Sequence, residues 1–420
     1  MKSGDKKRIL WAVMAALLVL ALTACGDKVV SPPASAEMAS VTADEIRARV
    51  AAEPDAAYLF AVNVGKGDAL ILRAGDWVGL IDAGKAWARG RVLSALSPML
   101  TGGRLNAVFL THTDDDHADG LRWMAEADGL TADGLYAPAF YSGKQAEKHP
   151  AVKAAEGLIG SADVQWLRRG DEVFLGNTGA TLRVLAPASL HEDEDDNSLV
   201  MLLACDAGRM LLTGDMELPG EADLLSFGDD LRCDVLKVPN HADGDTTSAQ
   251  FAAAAAARLA VISTDSAQKP DTPDPGVIAR LQAAGSRVVM TQDSELGLFV
   301  TLKGGDVTVE SVTFGAPVID GLYIAEVDAS DDRVVIGNRS GDALSLSGCY
   351  LYSDRGDELF AFPDGTTVAP GETLTVGTYS TKGGYDLLWP DKKVVHKKKT
   401  DTLYLYDGCG RVIDRGENGK

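Results

Sequence analysis

The sequence predicts two folded units in tandem, a mixed α/β domain and then an all-β sandwich, behind an N-terminal export segment. Three observations carry this reading. Strand-like and helix-like periods alternate from Tyr58 to about Phe314; residues 322–420 hold short strands and turns with no helix signal; and Ile9 to Leu22 is an apolar run behind four basic residues. A chain of 420 residues with 46% hydrophobic and 24% charged content has material for two or three domains and is not wholesale disordered. Its 40 basic and 61 acidic residues, net −21, argue against indiscriminate adhesion to nucleic acid or anionic lipid.

Residues 1–25 read as a signal peptide: Lys2, Lys6, Lys7 and Arg8 precede an apolar run too short to span a bilayer. Leu22-Thr23-Ala24-Cys25 resembles a bacterial lipobox, which implies lipidation of Cys25 and a membrane-anchored, extracytoplasmic protein. Residues 26–52, with Ser31, Pro32, Pro33 and many alanines, are expected to be a tether with a short helix around Ala43 to Ala51.

A globular unit over 53–315 follows. Tyr58 to Val64, Ala69 to Arg73 and Val78 to Asp82 are strand-like, and Val92, Leu93, Leu96 and Leu100 recur at helical spacing. Ala107 to Leu110 is a short buried strand. Leu199 to Ala204 and Met210 to Thr213, joined by Asp206-Ala207-Gly208-Arg209, signal a hairpin. Val235 to Val238 and Leu259 to Ser263 are further strands around an Ala-rich helix near Gln250 to Arg258. In the unit over 316–420, strands are expected at Arg333 to Gly337, Leu344 to Ser353, Thr373 to Gly377 and Thr402 to Tyr406. Cys349 and Cys409 are either bridged, as an oxidising compartment permits, or two small buried thiols.

The chemistry gathers at strand ends. Two of only six histidines fall in Thr111-His112-Thr113-Asp114-Asp115-Asp116-His117, just past a buried strand. Imidazoles and carboxylates this dense must be solvated, paired or shared with a metal. Leu211-Leu212-Thr213-Gly214-Asp215 puts an Asp just past a second strand, and Val238-Pro239-Asn240-His241 puts a third His past another. Three strand ends with such side chains suit one or two divalent cations between two sheets. His149 and His191 read as solvated, and the acidic run Glu192 to Asp196 as a flexible loop.

The order of these motifs resembles the metallo-β-lactamase superfamily, specifically the hydrolase domain of ComEC-type DNA-uptake proteins. The resemblance runs from Asn63-Val64-Gly65-Lys66-Gly67-Asp68 through Leu80-Ile81-Asp82-Ala83-Gly84, the His112 to His117 segment, Asn197-Ser198-Leu199, Thr213-Gly214-Asp215 and Leu236 to His241, to Pro273-Asp274-Pro275. It implies a four-layer αββα sandwich with His112 and Asp114 on a first metal and Asp116, His117 and His241 on a second. Asp215 would bridge the ions, with Asp116 and Asp215 as the catalytic carboxylates and a metal-bound hydroxide as nucleophile. Asn197, Lys237 and Asn240 are candidates for substrate contact or ligand support. Asp114 replaces the family's second His, Asn240 replaces a common His, and no His occupies the region before Asp215 where many members of the superfamily supply a third ligand to the first metal. That tilts the preference from zinc toward manganese.

The C-terminal unit resembles the lamin-tail family of Ig-like β-sandwiches, through Val334 to Gly341, Leu344 to Leu351, Phe362-Pro363-Asp364-Gly365-Thr366, Pro370-Gly371-Glu372 and Asp401 to Asp407. Its basic cluster, Lys392 to Lys399, could meet phosphates or cell-wall polyanions. The expected activity is extracytoplasmic, metal-dependent hydrolysis of phosphodiesters, with nucleic acid as a substrate class. The alternatives are a metal hydrolase of other esters or amides, and a non-catalytic surface binding protein.

Overall fold

The computed structural model describes residues 38–100, 102–125, 130–139, 150–160, 162–315 and 319–418. The signal segment, Cys25, the tether to residue 37 and His149 lie outside them. Among the described residues no helix is long and apolar enough to cross a membrane.

The N-terminal unit is built on two sheets. The first orders nine strands as Ser40–Val41, Asp306–Val312, Gly297–Lys303, Ala57–Val62, Leu70–Ala74, Trp77–Ile81, Ala107–Phe109, Leu135–Pro138 and Gln165–Leu167. The second orders seven: Glu172–Phe174, Thr181–Ala186, Val200–Cys205, Gly208–Leu212, Val235–Lys237, Leu259–Ile262 and Arg287–Met290. Hairpins lead into parallel crossovers in both, the pattern of a sheet covered by helices.

Alternate residues of each strand face opposite ways. Tyr58, Phe60, Ile71, Leu80 and Val108 pack against Val92 and Leu96 of the helix Arg89–Met99 and Leu121 and Met124 of the helix Asp115–Ala125. Leu202, Leu211, Leu236 and Ile262 pack against Leu224, Phe251, Val277 and Leu281 of three further helices. The remaining faces, among them Leu59, Phe109, Leu203, Met210 and Val261, are as deeply buried and turn inward between the sheets. This is the expected four-layer αββα sandwich.

The expected tether is corrected from residue 40 onward. Ser40–Val41 pairs in parallel with Ser311 and Val312 at the sheet edge. Thr42 then caps the helix Ala43–Ala52 in a reciprocal arrangement with Glu45, and Ile46 and Val50 enter the core. Arg49 pairs with Glu310 on the neighbouring strand Asp306–Val312. An amphipathic helix with such a partner belongs to the domain.

In the C-terminal unit, one four-stranded sheet (Leu322–Asp328, Arg333–Asn338, Thr373–Gly377, Leu387–Leu388) faces another (Glu358–Ala361, Tyr350–Ser353, Thr402–Tyr406, Val412–Glu417). Val334, Ile336 and Val376 of one meet Leu351, Leu403 and Leu405 of the other around Trp389. The expected strand Leu344 to Ser353 divides into Leu344–Ser345 and Tyr350–Ser353, because Gly348 turns the chain at φ +79°. All four described cysteines are free, so Cys349 is a buried thiol.

The β-sandwich is docked onto the first unit through an apolar cluster. Ala86 and Trp87 pack with Tyr350, Tyr352, Leu359 and Tyr406. The Tyr350 hydroxyl donates to the Trp87 carbonyl at 2.7 Å, and Trp87 stacks on Tyr406.

Candidate metal centre

The site is assembled from four chain segments at one edge of the sandwich. The Ala107–Phe109 strand delivers His112, and the helix Asp115–Ala125 begins within the motif and carries Asp116 and His117 in its first turn. Two carboxylates at a helix N-terminus complement its dipole. Gly120 lets that helix approach closely: a Cβ there would meet the Ala83 carbonyl at 2.1 Å. Gly67 does the same for the neighbouring turn, where Asp68 N–H donates to the Asp116 carbonyl at 3.1 Å.

Asp215 follows the Gly208–Leu212 strand, and its backbone N–H donates to Ser198 Oγ. His241 follows the Val235–Lys237 strand in a stretch where Asn240, His241 and Ala242 all have positive φ, +38°, +53° and +65°. Left-handed backbone at consecutive non-glycine residues costs of order 1–3 kcal/mol each, and such strain concentrates at functional sites.

All three imidazoles point the same way. His117 Nδ1 meets Asp82 Oδ2 at 2.8 Å, His241 Nδ1 meets the Ser263 carbonyl at 2.8 Å, and His112 Nδ1 faces Thr111 Oγ1 at 3.1 Å. Each Nε2 is thereby turned into the centre. Asp215 Oδ2 lies 3.2 Å from His117 Nε2 and 2.9 Å from His241 Nε2, and Asp116 Oδ2 lies 3.7 Å from His241 Nε2. Two groups of three could each share an ion: His112, His117 and Asp215, and Asp116, His117 and His241. Each brings its donor atoms within 4.8 Å of one another.

The donor set fits divalent cations. His112 Nε2 and Asp215 Oδ1 are buried without a hydrogen-bond partner, which is costly unless something else satisfies them. Burial pushes the Asp215 carboxyl up, but the His117 and His241 imidazoles outweigh it and hold it well below the usual range. Burial also disfavours charge on His117, yet Asp215 and Asp82 raise it well above an ordinary imidazole. For Asp116, His117 and His241 again outweigh burial. Burial lowers His112 and raises Asp114.

The supporting candidates divide. Asn240 Nδ2 reaches the carboxylates of Asp195 and Glu217, at the rim. Asn197 is buried and holds its own loop, donating to the carbonyls of His191 and Asp193, so of the two expected roles it takes the supporting one. Lys237 is fully buried, its ammonium 2.6 Å from Asp68 Oδ2 and donating to the Val238 carbonyl. It supports the site from beneath and cannot meet substrate. His191 pairs with Asp223 outside the centre.

Three participants escaped the sequence reading. Asp82 orients His117, Lys66 stands 3.5 Å from Asp116 Oδ2, and Asp195 joins His112 and Asp114 in a third group. The acidic run that holds Asp195 is a fixed 3-10 turn, Asp195–Asn197, tied to Thr113 through Glu194. Its signal was its place just ahead of Asn197-Ser198-Leu199.

Residues 62–265 match the metallo-β-lactamase superfamily, and residues 316–419 match the lamin tail domain. The first unit is a metallo-β-lactamase domain. That fold is one of divalent-metal-dependent hydrolases. Curated relatives of the metallo-β-lactamase domain include ComE operon protein 3 of Bacillus subtilis (strain 168), 27% identical over 252 residues, which are 56% of this chain and 31% of that protein. Competence protein ComA of Neisseria gonorrhoeae is 26% identical over 250 residues, 58% of this chain and 32% of that protein. The chain therefore spans about a third of the length of these relatives. Solved structures similar to it include the metallo-β-lactamase fold protein YhfI from Bacillus subtilis, 14% identical with a TM-score of 0.39, covering 59% of this chain and 99% of that one. Zn(2+)-bound PqqB from Methylobacterium extorquens is 15% identical with a TM-score of 0.36, covering 58% and 99%.

Proposed function

We propose that this chain is a metal-dependent phosphodiesterase that hydrolyses nucleic acid or a related polyanion outside the cytoplasm. The observation that carries the reading is the convergence of three inward Nε2 atoms on Asp215, with Asp116 and Asp114 at the rim. His112 and Asp114 would hold one cation, Asp116, His117 and His241 the other, and Asp215 would stand between them. Zinc or manganese, when bound, supplies a water activated near neutral pH and a positive field for phosphoryl oxygens.

The chain's own groups do the rest. Asp82 and the Ser263 carbonyl fix the imidazoles before substrate arrives, so no reorganisation is needed at the moment of reaction. Lys66, held protonated by Asp116 and Asp215 against the effect of its burial, presents an ammonium at the rim that can meet a phosphate oxygen. The acidic net charge opposes broad nucleic-acid binding, so attraction is confined to the site. Lys392 to Lys399 would add a second contact with polyanions, and lipid at Cys25 would hold the chain to the membrane.

The test is metal content after purification, followed by turnover of bis-(p-nitrophenyl) phosphate with manganese and with zinc. Metal-dependent turnover is expected; its absence with both ions would favour a binding protein. For the anchor, Cys25→Ser should release the protein from the membrane fraction or leave an unprocessed precursor. Unchanged fractionation would refute lipidation.

A further inference from the structure

We propose that Asp195 is the third protein ligand of the first cation, making that site one imidazole and two carboxylates with a preference for manganese over zinc. The proposal rests on the metal-dependent reading above and extends it to a residue outside the His112 to His117 motif.

Four observations carry it. Asp195 Oδ1 lies 3.6 Å from His112 Nε2, and His112, Asp114 and Asp195 bring one donor atom each within 4.8 Å of one another. Two donors about 2.1–2.2 Å from one ion and roughly 90–110° apart stand about 3.0–3.6 Å from each other, so the separation suits a shared ion. His112 is 1% exposed, and its Nε2, aimed at this group, has no hydrogen-bond partner. A neutral imidazole with its Nε2 so placed is a ligand without a local substitute.

The Asp195 carboxylate is also held in place. The Asp196 carboxylate beside it accepts from the backbone N–H groups of Glu217 and Gly220, at 3.1 and 2.8 Å. Asn197 ties the other flank to His191 and Asp193, and Asn240 Nδ2 donates to Asp195 Oδ2 at 3.3 Å. This turn approaches the centre from the second sheet, just before the Val200–Cys205 strand. Oxygen-rich sites favour hard cations, whereas zinc gains more from imidazole. Replacing an imidazole by a carboxylate therefore changes which ion the first site selects, without leaving it incomplete.

The experiment titrates Mn²⁺ into the mature, chelator-treated chain and reads free Mn²⁺ by electron paramagnetic resonance. Wild type should bind two equivalents. Asp195→Asn keeps the acceptor for Asn240 and removes the charge; it should lose one equivalent or weaken it by at least about 10-fold. Glu192→Gln, exposed in the same acidic run, should still bind two. Asp195→His should recover the second equivalent and shift competition toward zinc by at least about 10-fold over wild type. Equal unfolding temperatures in chelator would show that the variants are folded. Two unweakened equivalents in Asp195→Asn would overturn the proposal and leave the hydrolase reading standing. A wild type that binds neither Mn²⁺ nor Zn²⁺ would overturn both. One equivalent in wild type, unchanged in Asp195→Asn, would remove Asp195 and leave a single-metal site.

Discussion

The Asp82 carboxylate receives the Nδ1–H of His117 at 2.8 Å, with both side chains fully buried, and accepts from the Thr111 hydroxyl at 2.6 Å through the same oxygen. This contact sets the His117 tautomer: a proton held on Nδ1 leaves the Nε2 lone pair for the centre. Asp82→Asn would place a donor opposite Nδ1 and move the ring proton to Nε2, where it faces Asp215 and His241. Metal affinity should fall about 10–100-fold, the usual loss for such supporting carboxylates. Equilibrium dialysis against manganese or zinc measures it, and an unchanged affinity would refute the role.

The Lys237–Asp68 pair makes a different prediction, about stability. Both side chains are buried, and Asp68 Oδ1 already lacks a partner. Lys237→Met would leave a buried carboxylate without its cation, at a cost of about 3–5 kcal/mol. Replacing both partners, as Lys237→Met with Asp68→Leu, should recover a large part of that loss. Denaturant unfolding in the presence of chelator separates the effect from metal binding.

Docking of the β-sandwich ties the two units together. Tyr350→Phe removes the hydrogen bond to the Trp87 carbonyl within an otherwise apolar contact and should cost about 1 kcal/mol. Truncation after Gly315 goes further and uncovers Ala86 and Trp87. Calorimetry should show wild type unfolding in one transition and the truncated form at a lower temperature. Two independent transitions in wild type would argue that the contact contributes little.

These relationships explain which parts of the site were legible in the sequence. His112, Asp116, His117, Asp215 and His241 each follow an apolar strand by a few residues, so local pattern suffices to place them at one sheet edge. Asp195 lies in an acidic run that reads as solvated; what fixes the run is contact of Glu194 with Thr113 and of Asp195 with Asn240, from segments that follow other strands. Lys237 reads as an available cation until its partner Asp68, on a distant turn, is brought against it. Ser40–Val41 is marked as sheet only by pairing with Ser311 and Val312 at the far end of the domain. Short-range period gave the elements; charges whose partners are remote in sequence did not announce them.

Glu358, in the β-sandwich, gives the pH prediction. Burial pushes its carboxyl up to about 7 from an ordinary 4.5, and its Oε2 has no hydrogen-bond partner. A raised carboxyl pKa means that folding favours the protonated form. The stability it contributes is full below about pH 4.5 and is lost as pH rises through about 7. Glu358→Gln fixes the neutral form, so it should match wild type near pH 4 and exceed it at pH 8. Solvent screening at this half-buried side chain reduces the expected gain to about 1 kcal/mol. Unfolding curves at the two pH values test it, and a variant no more stable at pH 8 would refute the assignment.

Asp215 separates catalysis from metal binding alone. Its Oδ2 contacts His117 and His241, its Oδ1 is buried and unpartnered, and His112 completes a group with it from the other side. A carboxylate so placed would bridge two ions and fix their spacing, about 3.5–4 Å in two-metal sites. Asp215→Asn preserves volume but removes one negative charge and one strong bridging oxygen. Turnover of a model phosphodiester should fall by at least about 10²-fold, equivalent to roughly 2.7 kcal/mol of transition-state stabilisation. The fold should survive, because Leu211 and Leu212 and the strands beside them keep their packing, and circular dichroism checks this. Activity equal to wild type in a folded Asp215→Asn would place the chemistry elsewhere. A loss of turnover with metal content largely retained would show that Asp215 positions the reacting groups rather than merely holding the ions.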